Sequence, residues 1–319
     1  MAAKLTGMAW LRTQITKIET TKSQFKTQIE QIMKIKPEVY NEFREWTPLK
    51  LILLNYTLDV CTPIIANMLK RDSFFKEMYF VDLFAGSGIN RVKDTKDFII
   101  GSPLIAALNY GKTYSGMYFC DSNTNYSEAL DLRMATLNNT KLYVKKGSYD
   151  QFLPEIISKV NQSGVYSLFF IDPHSTEFSW DSMKQVLEIR SDILFNFMTS
   201  EIARTWGLAK AGKGGDETLN NVFGDDSWRL AESTEDLVSI YAVNILKARP
   251  NAIFNIVKVR AAKFNFRYDL FFITNQTKGE NQWMRAIEKA KQEIERNSDE
   301  SVKVALDLVK GRMKDLFSF

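Results

Sequence analysis

The chain has 319 residues, 45% apolar and 25% charged, so it can bury a large core, and a disordered or fibrous protein is excluded. Lys and Arg total 42 against 38 Asp and Glu, and the net charge of +4 permits a nucleic-acid partner without requiring one. Two cysteines, Cys61 and Cys120, and one histidine, His174, exclude a disulfide scaffold and a zinc site built on paired histidines.

The apolar runs and the first residues bear on location. No apolar stretch approaches ~18 uncharged residues, and the N-terminal residues, with scattered Thr, Gln and Lys, do not resemble a signal peptide. Both cysteines lie in apolar runs, which fits a reducing compartment. We therefore predict a cytoplasmic protein without a membrane span, and we find no pattern that predicts a metal site.

An apolar stripe marks residues 11–32, where apolar side chains recur at alternating steps of four and three. This spacing is typical of one face of a long amphipathic helix, although Lys22 interrupts it. We predict residues 1–46 as a helical N-terminal extension lying across its own domain, with self-association or docking to a second protein as the alternative. Thr47-Pro48 then resembles an N-cap with a first-turn proline and predicts the start of a second helix.

Short apolar runs alternate with helical patterns in residues 47–319, which we predict as one domain. Such alternation indicates a parallel sheet covered on both faces. Two late runs are separated by about six residues, too few for a crossover helix, and predict an antiparallel hairpin. Residues 200–250 carry no strand pattern and predict an insertion after the fifth strand. The predicted strands are 78–84, 116–120, 142–144, 166–171 and 192–198, and the predicted hairpin joins Ala252–Ala261 to 268–275.

Candidate ligand contacts follow the first three predicted strands. The first strand runs into a turn of small residues, where Gly86 and Gly88 allow a ligand to approach the backbone closely. The second ends in Asp121, whose carboxylate could accept hydrogen bonds from both hydroxyls of a ribose or could cap a helix. Ser148 and Tyr149 follow the third, where they could contact an adenine ring or simply start a helix.

The fourth predicted strand ends in the most informative run of the chain. It delivers Asp172, Pro173 and His174 to the carboxyl edge of the sheet, where open α/β sheets bind ligands. His174 is either a catalytic residue or a hydrogen-bonded structural histidine. Glu177 is a further catalytic candidate, with a helix N-terminal charge as its alternative role.

The order of these motifs resembles the class I S-adenosylmethionine-dependent methyltransferases, and within them the three-Cys-motif partner protein family of bacteria and archaea. That family is similar to the ribosomal RNA adenine methyltransferases, which carry Asp-Pro-Pro-Tyr at the fourth strand. The resemblance implies an α/β, Rossmann-like class I methyltransferase fold with a seven-stranded, mostly parallel sheet ending in an antiparallel hairpin. The residues that carry it are Lys50 and Tyr56, the run VDLFAGSG at 81–88, GSPL at 101–104, Ile171-Asp172-Pro173, Trp180, residues 192–197, Phe223-Gly224-Asp225 and Trp228.

The resemblance further implies S-adenosylmethionine as the cofactor, lying over the glycine turn. The methionyl part would lie near the end of the first strand, the ribose on Asp121, and the adenine after the third strand. The implied cofactor-binding residues are Asp82, Phe84, Ala85, Gly86, Gly88, Asp121, Ser148 and Tyr149.

The resemblance also implies how an acceptor would be held. In the adenine enzymes the motif Asp and the following Pro carbonyl accept hydrogen bonds from the amino group, a role that falls here to Asp172 and Pro173. His174-Ser175 replaces the Pro-Tyr of that motif, so the usual stacking ring is missing, and Phe178 or Trp180 are the candidates to supply one.

We predict a methyltransferase that acts on a nucleic-acid base of RNA or DNA, with an exocyclic amine among the candidate acceptors. Lys210 and Lys213, in a basic glycine-rich segment, are candidate phosphate contacts, although such a segment is also typical of a solvated loop. Two alternatives stay open. One is a non-catalytic, methyltransferase-like partner that binds a ligand or a second protein, and the other is a methyltransferase of small molecules or proteins.

Overall fold

The computed structural model describes residues 8–43, 47–72, 74–92, 98–261, 266–276, 282–296 and 303. The described helices are α1 (Met8–Gln24), α2 (Lys26–Met33), α3 (Thr47–Arg71), α4 (Ser102–Tyr110), α5 (Thr124–Ala135), α6 (Tyr149–Val160), α7 (Trp180–Leu187), α8 (Thr199–Lys210), α9 (Asp216–Phe223), α10 (Thr234–Ala248) and α11 (Gln282–Arg296). The strands are β1 (Asn41–Phe43), β2 (Glu77–Asp82), β3 (Ile89–Val92), β4 (Phe98–Ile100), β5 (Gly116–Asp121), β6 (Leu142–Lys146), β7 (Val165–Ile171), β8 (Ser191–Phe197), β9 (Ala252–Ala261) and β10 (Phe266–Asn275).

Seven strands form the main sheet in the order β6-β5-β2-β7-β8-β10-β9. Neighbours from β6 to β8 pair in parallel, and β10 lies antiparallel to both β8 and β9. Strands β5, β7 and β8 are buried at every residue because helices cover both faces of the sheet. This confirms the predicted α/β, Rossmann-like class I methyltransferase fold, with a mostly parallel sheet ending in an antiparallel hairpin.

The strand order reverses at β2, which lies between β5 and β7. In open α/β sheets, ligands bind beyond the carboxyl ends of the strands at such a reversal. Asp82 ends β2 and Ile171 ends β7, so the glycine turn and Asp172 follow neighbouring strands at one edge. The fold thus brings together the two motifs that the sequence singled out.

The strands with long apolar runs lie where the sequence predicts them, with ends that differ by a residue or two. The first was predicted to reach Phe84 but ends at Asp82. It stops there because the Asp82 side chain accepts a hydrogen bond from the Phe84 backbone N–H over 3.1 Å, which turns the chain.

A second, three-stranded sheet was not predicted. Strand β1 pairs in parallel with β3, and β3 pairs antiparallel with β4. These strands have three or four residues each, too few to show an alternating pattern. The parallel register places Asn41 opposite Asn90.

The N-terminal stripe lies on two helices rather than on one long helix. Helix α1 ends at Gln24 and α2 begins at Lys26, with Phe25 between them at φ −106° and ψ 25°. The stripe residues of α1 are buried because this helix packs on α3, α4 and α11. A second protein that docked on the extension would therefore have to use its outer faces.

Helix α3 starts at Thr47, as predicted, and continues through Pro63 to Arg71. It is long and apolar enough to cross a membrane, but 72% of its most apolar 18-residue window is buried within the fold. The burial is that of a core helix, because α3 packs against α1, α4 and α11.

The predicted insertion at 200–250 is helical. It contains most of α8, all of α9 and α10, and a short 3₁₀ helix at Ser227–Leu230. A capping box starts α10, since Ser233 and Asp236 each accept a hydrogen bond from the backbone of the other.

Candidate functional site

The glycine turn after β2 has a backbone that favours glycine. Gly86 and Gly88 have φ values of +61° and +80°, in the left-handed region that side chains disfavour. A Cβ atom at Gly86 would lie 2.7 Å from the side-chain amide of Asn41. The turn therefore needs glycine both for its conformation and for the close approach of β1.

Asp121 fixes this turn from the end of β5. Its Oδ2 accepts a hydrogen bond from the Gly86 N–H over 2.8 Å, and its Oδ1 accepts one from the Asn123 N–H over 2.9 Å. Burial raises the pKa of Asp121, and these two hydrogen bonds act in the opposite direction. The helix cap is Asn123, not Asp121. The ribose contact of Asp121 stays a prediction.

Asp82 is fully buried beneath the turn. Its Oδ2 accepts a hydrogen bond from the Ser102 hydroxyl over 2.6 Å, which ties the end of β2 to the start of α4. Burial raises the pKa of Asp82 to about 7, because the charged form loses its hydration. This contact gives the Gly101-Ser102 motif a structural role.

The N-terminal segment also holds the glycine turn. Asn41 Oδ1 accepts hydrogen bonds from the Ser87 N–H over 2.8 Å and from the Ser87 hydroxyl over 2.9 Å. The fully buried guanidinium of Arg133 donates to the Ser87 carbonyl over 2.6 Å and to three carbonyls of residues 35–39. Burial lowers the pKa of Arg133 to about 10. These hydrogen bonds join residues 35–41 of the extension to the carboxyl edge of the sheet.

Asp172 is held by two side chains from other elements. Lys50 Nζ, from α3, donates to both carboxylate oxygens over 2.7 and 2.8 Å, and Asn196 Nδ2, from β8, donates to Oδ1 over 2.6 Å. The side chains of Lys50 and Asp172 are only 10% and 17% exposed. A lysine in such an apolar helix is costly to bury unless it is paired, and the pairing with Asp172 meets that need.

A cavity of about 290 Å³ opens at this edge of the sheet. Six of the predicted site residues line it: Phe84, Ala85, Gly86, Asp172, Pro173 and His174. The sequence did not point to four other polar residues of its wall, Asn41, Glu42, Asn90 and Glu201. Thr47 was predicted only as a helix start and Ser102 was known only as part of a motif. Lys50, also in the wall, was known only as part of a motif.

The aromatic candidates lie in the core. Phe178 is 2% exposed and packs against Phe84 and Tyr149, with ring centroids 6.1 and 5.1 Å away. Trp180 meets the Tyr241 ring edge-on at 5.3 Å and leaves no room for a Cβ at Gly224. Neither Phe178 nor Trp180 belongs to the described cavity wall, so a base that stacked on either would require the core to open.

Three further candidates take part in local hydrogen bonding. Glu177 accepts a hydrogen bond from the His174 N–H over 2.8 Å, which supports the turn after β7. The Tyr149 hydroxyl donates to the Glu177 carbonyl over 3.0 Å and accepts from the Ser179 N–H over 3.1 Å. Ser148 is the N-cap residue of α6, as its alternative role predicted.

The basic candidates lie at the end of α8 and just beyond. Lys210 and Lys213 are both exposed, and Lys210 Nζ lies 4.4 Å from the centroid of the Trp206 ring. The described wall of the cavity does not include them. Their contact with phosphates stays a prediction.

Comparisons with known proteins bear on the fold. No family model matches the chain, and no curated protein does. Solved structures with a related fold include the Legionella pneumophila protein LPL1258, at 12% identity and a TM-score of 0.48, with 77% of this chain and 92% of that chain covered. An O-methyltransferase of Bacillus cereus bound to S-adenosylhomocysteine has 10% identity and a TM-score of 0.37, with 72% and 90% covered.

A third similar structure is the Streptomyces achromogenes O-methyltransferase TomG, bound to S-adenosylmethionine, at 9% identity and a TM-score of 0.36, with 72% of this chain and 90% of that chain covered. At this level the likeness concerns the fold alone, and it assigns no role to any residue. The resemblance to the three-Cys-motif partner family therefore stays a prediction.

Proposed function

We propose that this protein is an S-adenosylmethionine-dependent methyltransferase. The observation that carries the proposal is the cavity at the carboxyl edge of β2 and β7, whose wall contains both Gly86 and the Asp172-Pro173 turn. This edge is where the strand order reverses, and the seven-stranded order with its terminal hairpin is the order of class I methyltransferases.

The residues present fit such a cofactor. Gly86 contributes only backbone to the cavity wall, because the Asn41 side chain occupies the place of a Cβ, and a slender amino-acid moiety can lie along that wall. The charged side chains of the cavity wall include the carboxylates of Glu42, Asp172 and Glu201, which suit a ligand with a positive charge. The sulfonium of S-adenosylmethionine carries that charge and supplies a transferable methyl group when bound.

The chain's own residues would then orient the acceptor. Asp172 cannot rotate freely, because Lys50 and Asn196 occupy three of its acceptor positions. One position remains on Oδ2, and the carbonyl of Pro173, the next residue in the cavity wall, would be the second acceptor. Two fixed acceptors can align an N–H or O–H group so that its lone pair meets the methyl carbon in line, which is the main requirement for transfer.

For the acceptor we propose a nucleic-acid base with an exocyclic amine. The Asp172-Pro173 turn supports it, as do the exposed lysines Lys210 and Lys213. The ion pair between Lys50 and Asp172 favours a second candidate, a protein that binds the cofactor or a second protein without transfer, because it occupies the carboxylate that an amine would use.

A transfer assay separates the two candidates. Purified protein is incubated with S-adenosylmethionine labelled on the methyl group, and label is counted in RNA, DNA, protein and small-molecule fractions. Incorporation into RNA or DNA that Asp172→Ala loses, while cofactor binding persists, supports the proposal. Cofactor binding without incorporation into any fraction would favour the non-catalytic candidate. Label found in protein or in small molecules would show that the acceptor is not a nucleic-acid base.

A further inference from the structure

We propose that Asn41 and Asn90 bind the carboxylate of the cofactor's amino-acid end. This amide pair lies in the small sheet of β1, β3 and β4, outside the seven-stranded sheet. The inference rests on the proposed function, since it assigns residues of this chain to one end of the same ligand.

The register of the small sheet brings the two amides together. Asn41 and Asn90 are direct partners in the parallel pairing of β1 with β3, so their side chains leave the sheet on the same face. Both line the cavity, Asn41 beside Gly86 and Asn90 beside Gly101. Two amides that are about 49 residues apart in the chain thus face one ligand space.

The hydrogen bonds of Asn41 fix which of its atoms is available. Its Oδ1 accepts from both the N–H and the hydroxyl of Ser87, which sets the amide orientation and leaves Nδ2 as the donor. Asn90 Nδ2 lies 3.1 Å from the position that a Cβ of Gly101 would take, so its amino group is also next to the cavity wall. Amide N–H groups form charge-assisted hydrogen bonds with a carboxylate.

The rest of the site determines the direction of the amino-acid end. The proposed function puts the ribose at Asp121, which ends β5, and the methyl group near Asp172, which follows β7. The amino-acid end would then lie on the side of the glycine turn that contacts β1 and β3. Lys50 is bound to Asp172. The neutral amides are therefore the donors for the carboxylate, and Glu42, next to Asn41 in the wall, suits the α-ammonium group.

Two probes test the amide pair by calorimetry: S-adenosylhomocysteine, which has the amino-acid end, and methylthioadenosine, which lacks it. We expect Asn90→Ala to weaken binding of S-adenosylhomocysteine about tenfold, the value of one or two charge-assisted hydrogen bonds, and to leave methylthioadenosine unchanged. Asn90→Asp should weaken the first probe further by charge repulsion, whereas Asn251→Asp, an exposed asparagine at the opposite edge of the sheet, should change neither.

The outcomes distinguish this inference from the proposed function. If Asn90→Ala weakens binding of both probes equally, or of neither, the amide pair is overturned, whereas the proposed function still stands because the unaltered protein binds the probes. Binding of neither probe by the unaltered protein would overturn the proposed function and the amide pair with it. Ser87→Ala removes one of the two bonds that orient the Asn41 amide, so it should weaken binding of S-adenosylhomocysteine more than binding of methylthioadenosine.

Discussion

Replacing Asp82 by asparagine should remove a pH-dependent loss of stability. Burial raises the pKa of Asp82 from 3.8 to about 7, so between these values the folded protein holds a proton that the unfolded chain has lost. The free energy of unfolding therefore falls as the pH rises from about 4 to 7. At about 1.4 kcal/mol per unit, this window of roughly three units corresponds to about 4 kcal/mol as an upper bound.

The Asp82→Asn variant preserves the contacts and removes the titration. The asparagine Oδ1 can accept from the Phe84 N–H, as Asp82 Oδ1 does now. Its Nδ2 can donate to the Ser102 oxygen, which reverses the present bond from the Ser102 hydroxyl to Asp82 Oδ2. The variant should match the unaltered protein near pH 4 and become the more stable of the two by several kcal/mol, at most about 4, near pH 8.

The assay is urea unfolding of both proteins at pH 4, 5, 6, 7 and 8, with the difference in unfolding free energy plotted against pH. Taking the difference cancels the other titrating groups, the buried Asp192 among them. Asp181→Asn, at a side chain that is 82% exposed, serves as the surface control for the same substitution. A difference for Asp82→Asn that does not change with pH would refute the reasoning.

Three further changes test the site. Gly86→Ala should destabilise the fold by about 1–3 kcal/mol, from left-handed backbone strain and contact with Asn41, whereas Gly207→Ala, in a helix with open space around it, should stabilise by up to about 1 kcal/mol in the same unfolding assay. Arg133→Met should cost on the order of 3 kcal/mol and speed proteolysis of residues 35–43, and unchanged cleavage would count against the fastening of that segment. Lys50→Met should lower the free energy of unfolding by about 3 kcal/mol, and the double variant with Asp172→Asn should lower it by less. If the losses of the two single variants simply added in the double variant, that would contradict a coupled pair.

The sequence predicted the main sheet well because its strands are long and buried. The run Val165–Ile171, for example, is apolar at every buried position except Ser167, and the order of such runs along the chain favours a parallel sheet. Strand β1 escaped prediction because three residues show no period, and it forms by pairing with β3, about 48 residues away. The break between α1 and α2 at Phe25 left the apolar stripe intact, so the pattern gave no sign of it.

The sequence likewise predicted only part of the candidate site. Gly86 and Asp172 were predicted because each follows a strand, and parallel strands end at the same edge of the sheet. The hydrogen-bond partners of Asp172 were not predicted, because Lys50 is 122 residues away in the chain and no local pattern links the two. Asn41 likewise meets Ser87 across 46 residues. A lone lysine amid the apolar residues of α3 was the one available signal for such a contact.

Calorimetric titration of the purified protein with S-adenosylmethionine, after a check that no cofactor copurified, is the direct test of whether the cavity binds this cofactor. We expect saturable one-to-one binding. Gly86→Ala should abolish this binding or weaken it strongly, whereas Gly207→Ala, at an open position in a helix, should leave it unchanged. A folded, empty protein that shows no heat of binding with S-adenosylmethionine would contradict the assignment of this cavity to that cofactor.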